Sequence, residues 1–82
     1  MIRILFFARL RESLGQSELA LPLTGPATVG EVREALLGRY PQWREALCAP
    51  NVLVARNQEL ADTDTRVEDG DELAFYPPVT GG

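Results

Sequence analysis

The sequence predicts an α+β domain in which one main helix packs across a single mixed sheet. Three observations carry that expectation. Alternating apolar residues mark strands at both ends of the chain, one capped helix lies between them, and turn residues separate the segments. The order is strand, strand, helix, strand, strand. A hairpin followed by a helical crossover can set the first and last strands side by side, so that the chain's end leaves from the middle of the sheet.

Ile2, Ile4, Phe6 and Ala8 alternate with Arg3, Leu5, Phe7 and Arg9, the period-2 pattern of a strand. Both faces carry apolar groups, so this strand is central or meets a partner. Arg9 to Gly15 suits one or two helical turns, closed by Gly15. Glu18 to Leu23 reads as a second strand with Leu19, Leu21 and Leu23 on one face, and Thr24-Gly25-Pro26 breaks it. Thr28-Val29-Gly30-Glu31 is a capping box that opens the main helix. Val29, Val32, Leu36 and Tyr40 follow at spacings of three and four and share one face, flanked by Ala35 and Leu37. Pro41 stops the helix because it lacks an N–H and clashes with the preceding turn. Gln42 to Leu47 suits a short helix with Trp43, Ala46 and Leu47 inward. Val52 to Ala55 is a third strand, Asn57-Gln58 a turn, and Glu59-Leu60 a brief edge pairing. Asp69-Gly70 turns the chain into the last strand, Leu73 to Tyr76. Leu73 and Phe75 lie on one face of it, and Glu72, Ala74 and Tyr76 on the other.

A chain of 82 residues, 45% hydrophobic, makes one domain with a small core. We divide it into a body, residues 1–76, and a tail, residues 77–82. A net charge of −4 without histidine argues against a nucleic-acid partner, whose phosphates demand a basic face. No segment approaches the roughly 18 apolar residues of a membrane span. The apolar start lacks a basic lead-in and a small-residue cleavage site, so no secretory signal is expected. With one cysteine, the expected location is cytoplasmic. Between Gln58 and Glu72 lie Glu59, Asp62, Asp64, Glu68, Asp69, Asp71 and Glu72 against Arg66. This run suits either steering toward a basic partner or a solvated loop.

No side chains suggest catalysis by the chain alone. There is no histidine for acid–base work, no Ser–His or Cys–His pair, no metal-ligand spacing and no phosphate loop. Cys48, in apolar company, is expected to be a packing residue. Asp62 and Asp64 are expected to be solvated. All eight basic residues are arginine, so no ε-amine is present to accept an isopeptide bond.

Two features remain for function. The tail reads Pro77-Pro78-Val79-Thr80-Gly81-Gly82. The prolines fix their φ angles and bias Tyr76 and Pro77 toward extended backbone. Six extended residues reach roughly 20 Å, and the last two carry no side chain. Such an arm threads a narrow channel and delivers its carboxylate to another protein's site. At its root, Phe7 and Tyr76 are expected on the sheet face away from the helix, as a docking patch. Leu60 and Arg11 are further candidates for that surface.

Ile4-Leu5-Phe6-Phe7-Ala8-Arg9-Leu10-Arg11-Glu12, Val54-Ala55-Arg56-Asn57-Gln58 and, above all, the segment from Asp69-Gly70-Asp71-Glu72 to Gly82 resemble the small subunits of molybdopterin synthase. The resemblance spans essentially the whole chain, although Gln16 to Pro50 is generic. It implies a ubiquitin-like sulfur carrier with the β-grasp fold, not an enzyme on its own. An E1-like enzyme would adenylate the Gly82 carboxylate with ATP, and sulfur would then replace AMP to leave a thiocarboxylate. The tail would enter the large synthase subunit and donate sulfur to a cyclic pyranopterin precursor. The implied assembly is a heterotetramer with two large subunits, without a permanently bound cofactor or metal. Rival readings are a sulfur carrier for thiamine, cysteine or tRNA thiolation, a ubiquitin-like protein modifier, and an interaction domain with an idle tail.

Overall fold

The computed structural model describes residues 1–23 and 25–77. In chain order these form β1 (Ile2–Phe6), α1 (Ala8–Leu14), β2 (Glu18–Leu21), β3 (Ala27–Thr28) and α2 (Val29–Arg39). A 3₁₀ turn over Pro41–Trp43 leads into α3 (Arg44–Leu47). There follow β4 (Leu53–Arg56), β5 (Glu59–Ala61), β6 (Arg66–Val67) and β7 (Glu72–Tyr76).

The main sheet runs β2-β1-β7-β4-β5, and β3 pairs with β6 in a separate two-stranded ribbon. β1 and β7 are parallel, while every other pairing is antiparallel. The first and last strands are therefore neighbours, as expected, and β7 is the central strand.

The inner face of the sheet is the core. Ile2, Ile4 and Phe6 of β1 and Leu73 and Phe75 of β7 are buried against Val29, Val32 and Leu36 of α2. Phe6 stacks on Phe75 and meets the edge of Trp43, at ring-centroid distances of 6.0 and 5.4 Å. The capping box is complete: Thr28 Oγ1 accepts from Glu31 N, and Glu31 Oε1 accepts from Thr28 N. The next two N–H groups of α2, of Val29 and Gly30, donate to the carbonyls of Thr65 and Thr63. A Cβ on Gly30 would stand 3.3 Å from Thr63 O, so this close approach favours glycine.

The structure departs from the sequence expectations at several points. β1 ends at Phe6, because Ala8 takes a left-handed φ of 53° and opens α1. β2 ends at Leu21, before Pro22, although Leu23 still packs against the core. β4 is shifted by one residue, to Leu53–Arg56. Ala35 is exposed while Leu37 is buried, since the apolar face of α2 leans to one side. Tyr40 serves as the C-cap of α2 and stacks on Trp43 with 4.0 Å between centroids. The β3–β6 ribbon, with two residues per strand, is too short to leave a periodic signal. Cys48 is exposed and is not a packing residue: it caps the single turn of α3, just past the buried Leu47.

Asp71 needs a larger correction. It does not belong to a solvated acidic run, because it is only 8% exposed. Its carboxylate accepts from Arg56 Nε at 2.7 Å, Asn57 Nδ2 at 3.1 Å and Glu68 N at 2.8 Å. Asn57 Oδ1 in turn accepts from Glu72 N. The network ties the β4–β5 turn, where Asn57 and Gln58 both have positive φ, to the entry of β7. No helix among the described residues is long and apolar enough to cross a membrane.

Candidate functional site

The outer face of the sheet is apolar at its centre. The pairing sets Leu5 beside Ala74, Ala74 beside Ala55, and Ala55 beside Leu60 in one row across four strands. In the next row Tyr76 lies beside Leu53. Ala74 and Ala55 are buried although they face away from the helix. Around them Leu53 is 40% exposed and Leu60 77% exposed.

Phe7 joins this surface through the backbone. Its own φ and ψ are extended, and its N–H donates to the Phe75 carbonyl at 3.2 Å, continuing the β1–β7 ladder by one bond. Ala8 then turns sharply away, at a left-handed φ that costs a non-glycine residue about 1–2 kcal/mol. The consequence is a stack: the Phe7 and Tyr76 rings lie 4.9 Å apart with planes within 6° of parallel. Each residue remains 38% exposed. Such a stack contributes about 0.5–1.5 kcal/mol beyond the area it buries, so the two rings hold each other in place.

The structure thus brings Phe7 and Tyr76 into contact and places Leu60 on the same face, two strands away through Ala55. Arg11 is exposed on α1, the helix that leaves the patch from Ala8. It enters no ion pair among the described residues. Pro77, half-buried, is the last described residue and follows Tyr76 directly. Pro78, Val79, Thr80, Gly81 and Gly82 lie outside the described residues.

The sequence reading missed Leu53. The signal was available: Leu53 alternates with the buried Val54 and lies opposite Tyr76 in the pairing. It also missed the Asp71 network, which fixes the hairpin carrying Leu60. Burial works to raise the Asp71 carboxyl. The Glu68 N–H, the Arg56 guanidinium and the Asn57 amide outweigh it and hold the group below the usual carboxylate range.

The sequence matches the ThiS family over residues 4–82. The chain belongs to the ThiS family. It is 44% identical over 82 residues to the molybdopterin synthase sulfur carrier subunit of Haemophilus influenzae, with 100% of both chains aligned. Among solved structures it resembles SAMP1 from Haloferax volcanii, with a TM-score of 0.86 and 33% identity over 99% of this chain and 98% of that one. It also resembles a chain in the complex of subunits 1 and 2 of the molybdopterin-converting factor from Helicobacter pylori. There the TM-score is 0.69 and the identity 26%, over 99% of this chain and 97% of that one. The fold of this family member is the ubiquitin-like β-grasp.

Proposed function

We propose that this chain is the sulfur-carrier subunit of a molybdopterin synthase, in which the body docks and the terminal carboxyl carries the cargo. The observation that carries the reading is positional. The stacked Phe7–Tyr76 pair stands at the root of a segment ending in Gly81-Gly82, in a chain aligned from end to end with a sulfur carrier subunit.

The chemistry follows from what a carboxylate cannot do. It is a poor electrophile, so the Gly82 carboxylate must first be activated. In the proposed cycle an E1-like enzyme directs a Gly82 oxygen onto the α-phosphorus of ATP, and pyrophosphate leaves. Sulfur at the hydrosulfide level then attacks the acyl-adenylate carbonyl, the C–O bond to AMP breaks, the S–H proton goes to solvent, and a thiocarboxylate results. Glycine at both terminal positions lets the donor atoms approach without a Cβ clash. The charged carrier docks on the large subunit through Phe7, Tyr76, Leu53 and Leu60, with Arg11 at the margin. The tethered thiocarboxylate then stands at an effective concentration in the millimolar range beside the pyranopterin precursor. The large subunit supplies the catalytic side chains, and two carriers and two large subunits make the full assembly. ATP is consumed by the activating enzyme and is not a resident cofactor of this chain. The expected compartment is the cytoplasm.

The test is the intact mass of the chain isolated from cells. A thiocarboxylate is about 16 Da heavier than the free acid, because one sulfur replaces one oxygen. The reading expects that species to form with the activating enzyme and to revert when large subunit and precursor are added. Persistence of the heavy form in their presence contradicts the molybdopterin assignment. Recovery of the chain in isopeptide adducts favours a protein-modifier role instead.

A further inference from the structure

The edge hairpin that carries Leu60 is held by a side chain at the point where the backbone ladder stops. Arg56 lies opposite Leu73 in the β4–β7 pairing, so Asn57 is the next position, level with Glu72. Asn57 and Gln58 form the two-residue turn into β5, at φ of 49° and 72°. Asparagine is among the few residues that tolerate this left-handed backbone. Its N–H still donates to the Glu72 carbonyl at 2.8 Å. The return bond comes from the side chain: Oδ1 accepts from Glu72 N at 3.0 Å, the part a strand carbonyl would otherwise play. Because Glu72 N is a donor, this contact fixes the orientation of the amide. Nδ2 therefore faces Asp71 and reaches its Oδ1 at 3.1 Å. The other Asp71 oxygen, Oδ2, accepts from Arg56 Nε at 2.7 Å and Glu68 N at 2.8 Å.

We infer that Asn57 is a positioning residue for docking: held by Glu72 and Asp71, it fixes the turn into β5 and keeps Leu60 on the face of Phe7 and Tyr76. The inference rests on the docking face proposed above. β5 is an edge strand of three residues whose sheet pairing is with β4. The register of a hairpin is set by its turn, so what holds the turn holds Leu60. Leu60 is also the most exposed large apolar residue among those described. A side chain held beforehand in its bound place loses less freedom on binding, which is how a residue that touches no partner raises affinity.

The geometry allows the two side chains to be exchanged. In Asn57→Asp alone, a carboxylate oxygen faces Asp71 Oδ1 across the present 3.1 Å, and the two repel. Combining Asn57→Asp with Asp71→Asn reverses that one hydrogen bond and keeps the others. The new amide nitrogen stands where Asp71 Oδ1 was and donates, and the amide oxygen replaces Oδ2 as acceptor from Arg56 and Glu68 N. The net charge is that of wild type. Affinity for the large subunit is measured by calorimetry, with folding checked by thermal melting. Asn57→Asp is expected to weaken binding about fivefold or more, and the exchanged pair to return it to within about twofold of wild type. On a Leu60→Ala background, itself about fivefold weaker, Asn57→Asp is expected to change affinity by less than about twofold. A merely structural residue, or the added charge alone, would act equally on both backgrounds. Equal losses on the two backgrounds, no loss in Asn57→Asp, or no recovery in the exchanged pair overturns the inference. Tyr76→Ala in the same titrations separates the two readings. If it weakens binding while Asn57→Asp does not, the docking face stands and the positioning role falls; if the wild-type chain does not bind the large subunit, both fall.

Discussion

The two faces of β7 carry the same kind of side chain to different ends. Phe75 points inward and is 1% exposed, stacked on Phe6 beneath α2. Tyr76, the next residue, points outward and is 38% exposed, stacked on Phe7. Alternation along one strand therefore separates the residue that holds the fold from the one assigned to docking in the proposed function. Burial against the helix commits the inner face to stability, and the outer face keeps an exposed apolar surface, the docking face of the proposed function.

The largest effect that sharpens this contrast is expected at Phe75. Phe75→Ala should cost about 3–5 kcal/mol of folding stability in denaturant titrations, as a cavity opened in a close-packed core. A loss below about 1 kcal/mol would break the distinction between the faces. Tyr76→Ala should do the reverse. It should weaken binding to the large subunit by about 2 kcal/mol or more, roughly thirtyfold by calorimetry, while stability changes by no more than about 1 kcal/mol. Equal losses in both measurements would mean that the outer stack is structural.

Asp71 lies between these extremes, as a buried polar group that braces the hairpin of Leu60. Asp71→Asn should cost about 1–3 kcal/mol of stability at neutral pH, because it disturbs three hydrogen bonds to a nearly buried carboxylate. The pH dependence has a definite sign. The folded-state value lies below the ordinary one of about 4, so the ionised group's stabilisation is complete above about pH 4 and fades as pH falls through the folded value. The gap between wild type and Asp71→Asn should therefore narrow in acid, and a gap that widens would contradict the assignment. The smallest expected effect is at the helix cap: Thr28→Ala should cost about 1 kcal/mol by thermal melting, with partner affinity unchanged.

These contrasts also mark what the sequence could reveal. The Thr28–Glu31 box, the stop at Pro41 and the αL Gly15 were legible because each depends on residues within a few positions. The pairing of β1 with β7 was legible from element order, and with it the meeting of Phe7 and Tyr76. Leu53 was not singled out, because its exposure depends on which strand lies beside it. Asp71 was misread because its partners Arg56 and Asn57 lie 15 and 14 residues away and meet it only across the sheet. The exposure of Cys48 followed from the end of a one-turn helix, a boundary that apolar neighbours do not announce.

The most direct measurement concerns the chain's end, with the docking face left intact. One alanine appended after Gly82 moves the carboxyl group by one residue without touching Phe7, Tyr76 or the core. Sulfur transfer to the pyranopterin precursor should then be lost, with large-subunit affinity and melting temperature unchanged. Transfer at the wild-type rate by this lengthened chain would contradict the assignment of the cargo to the terminal carboxyl.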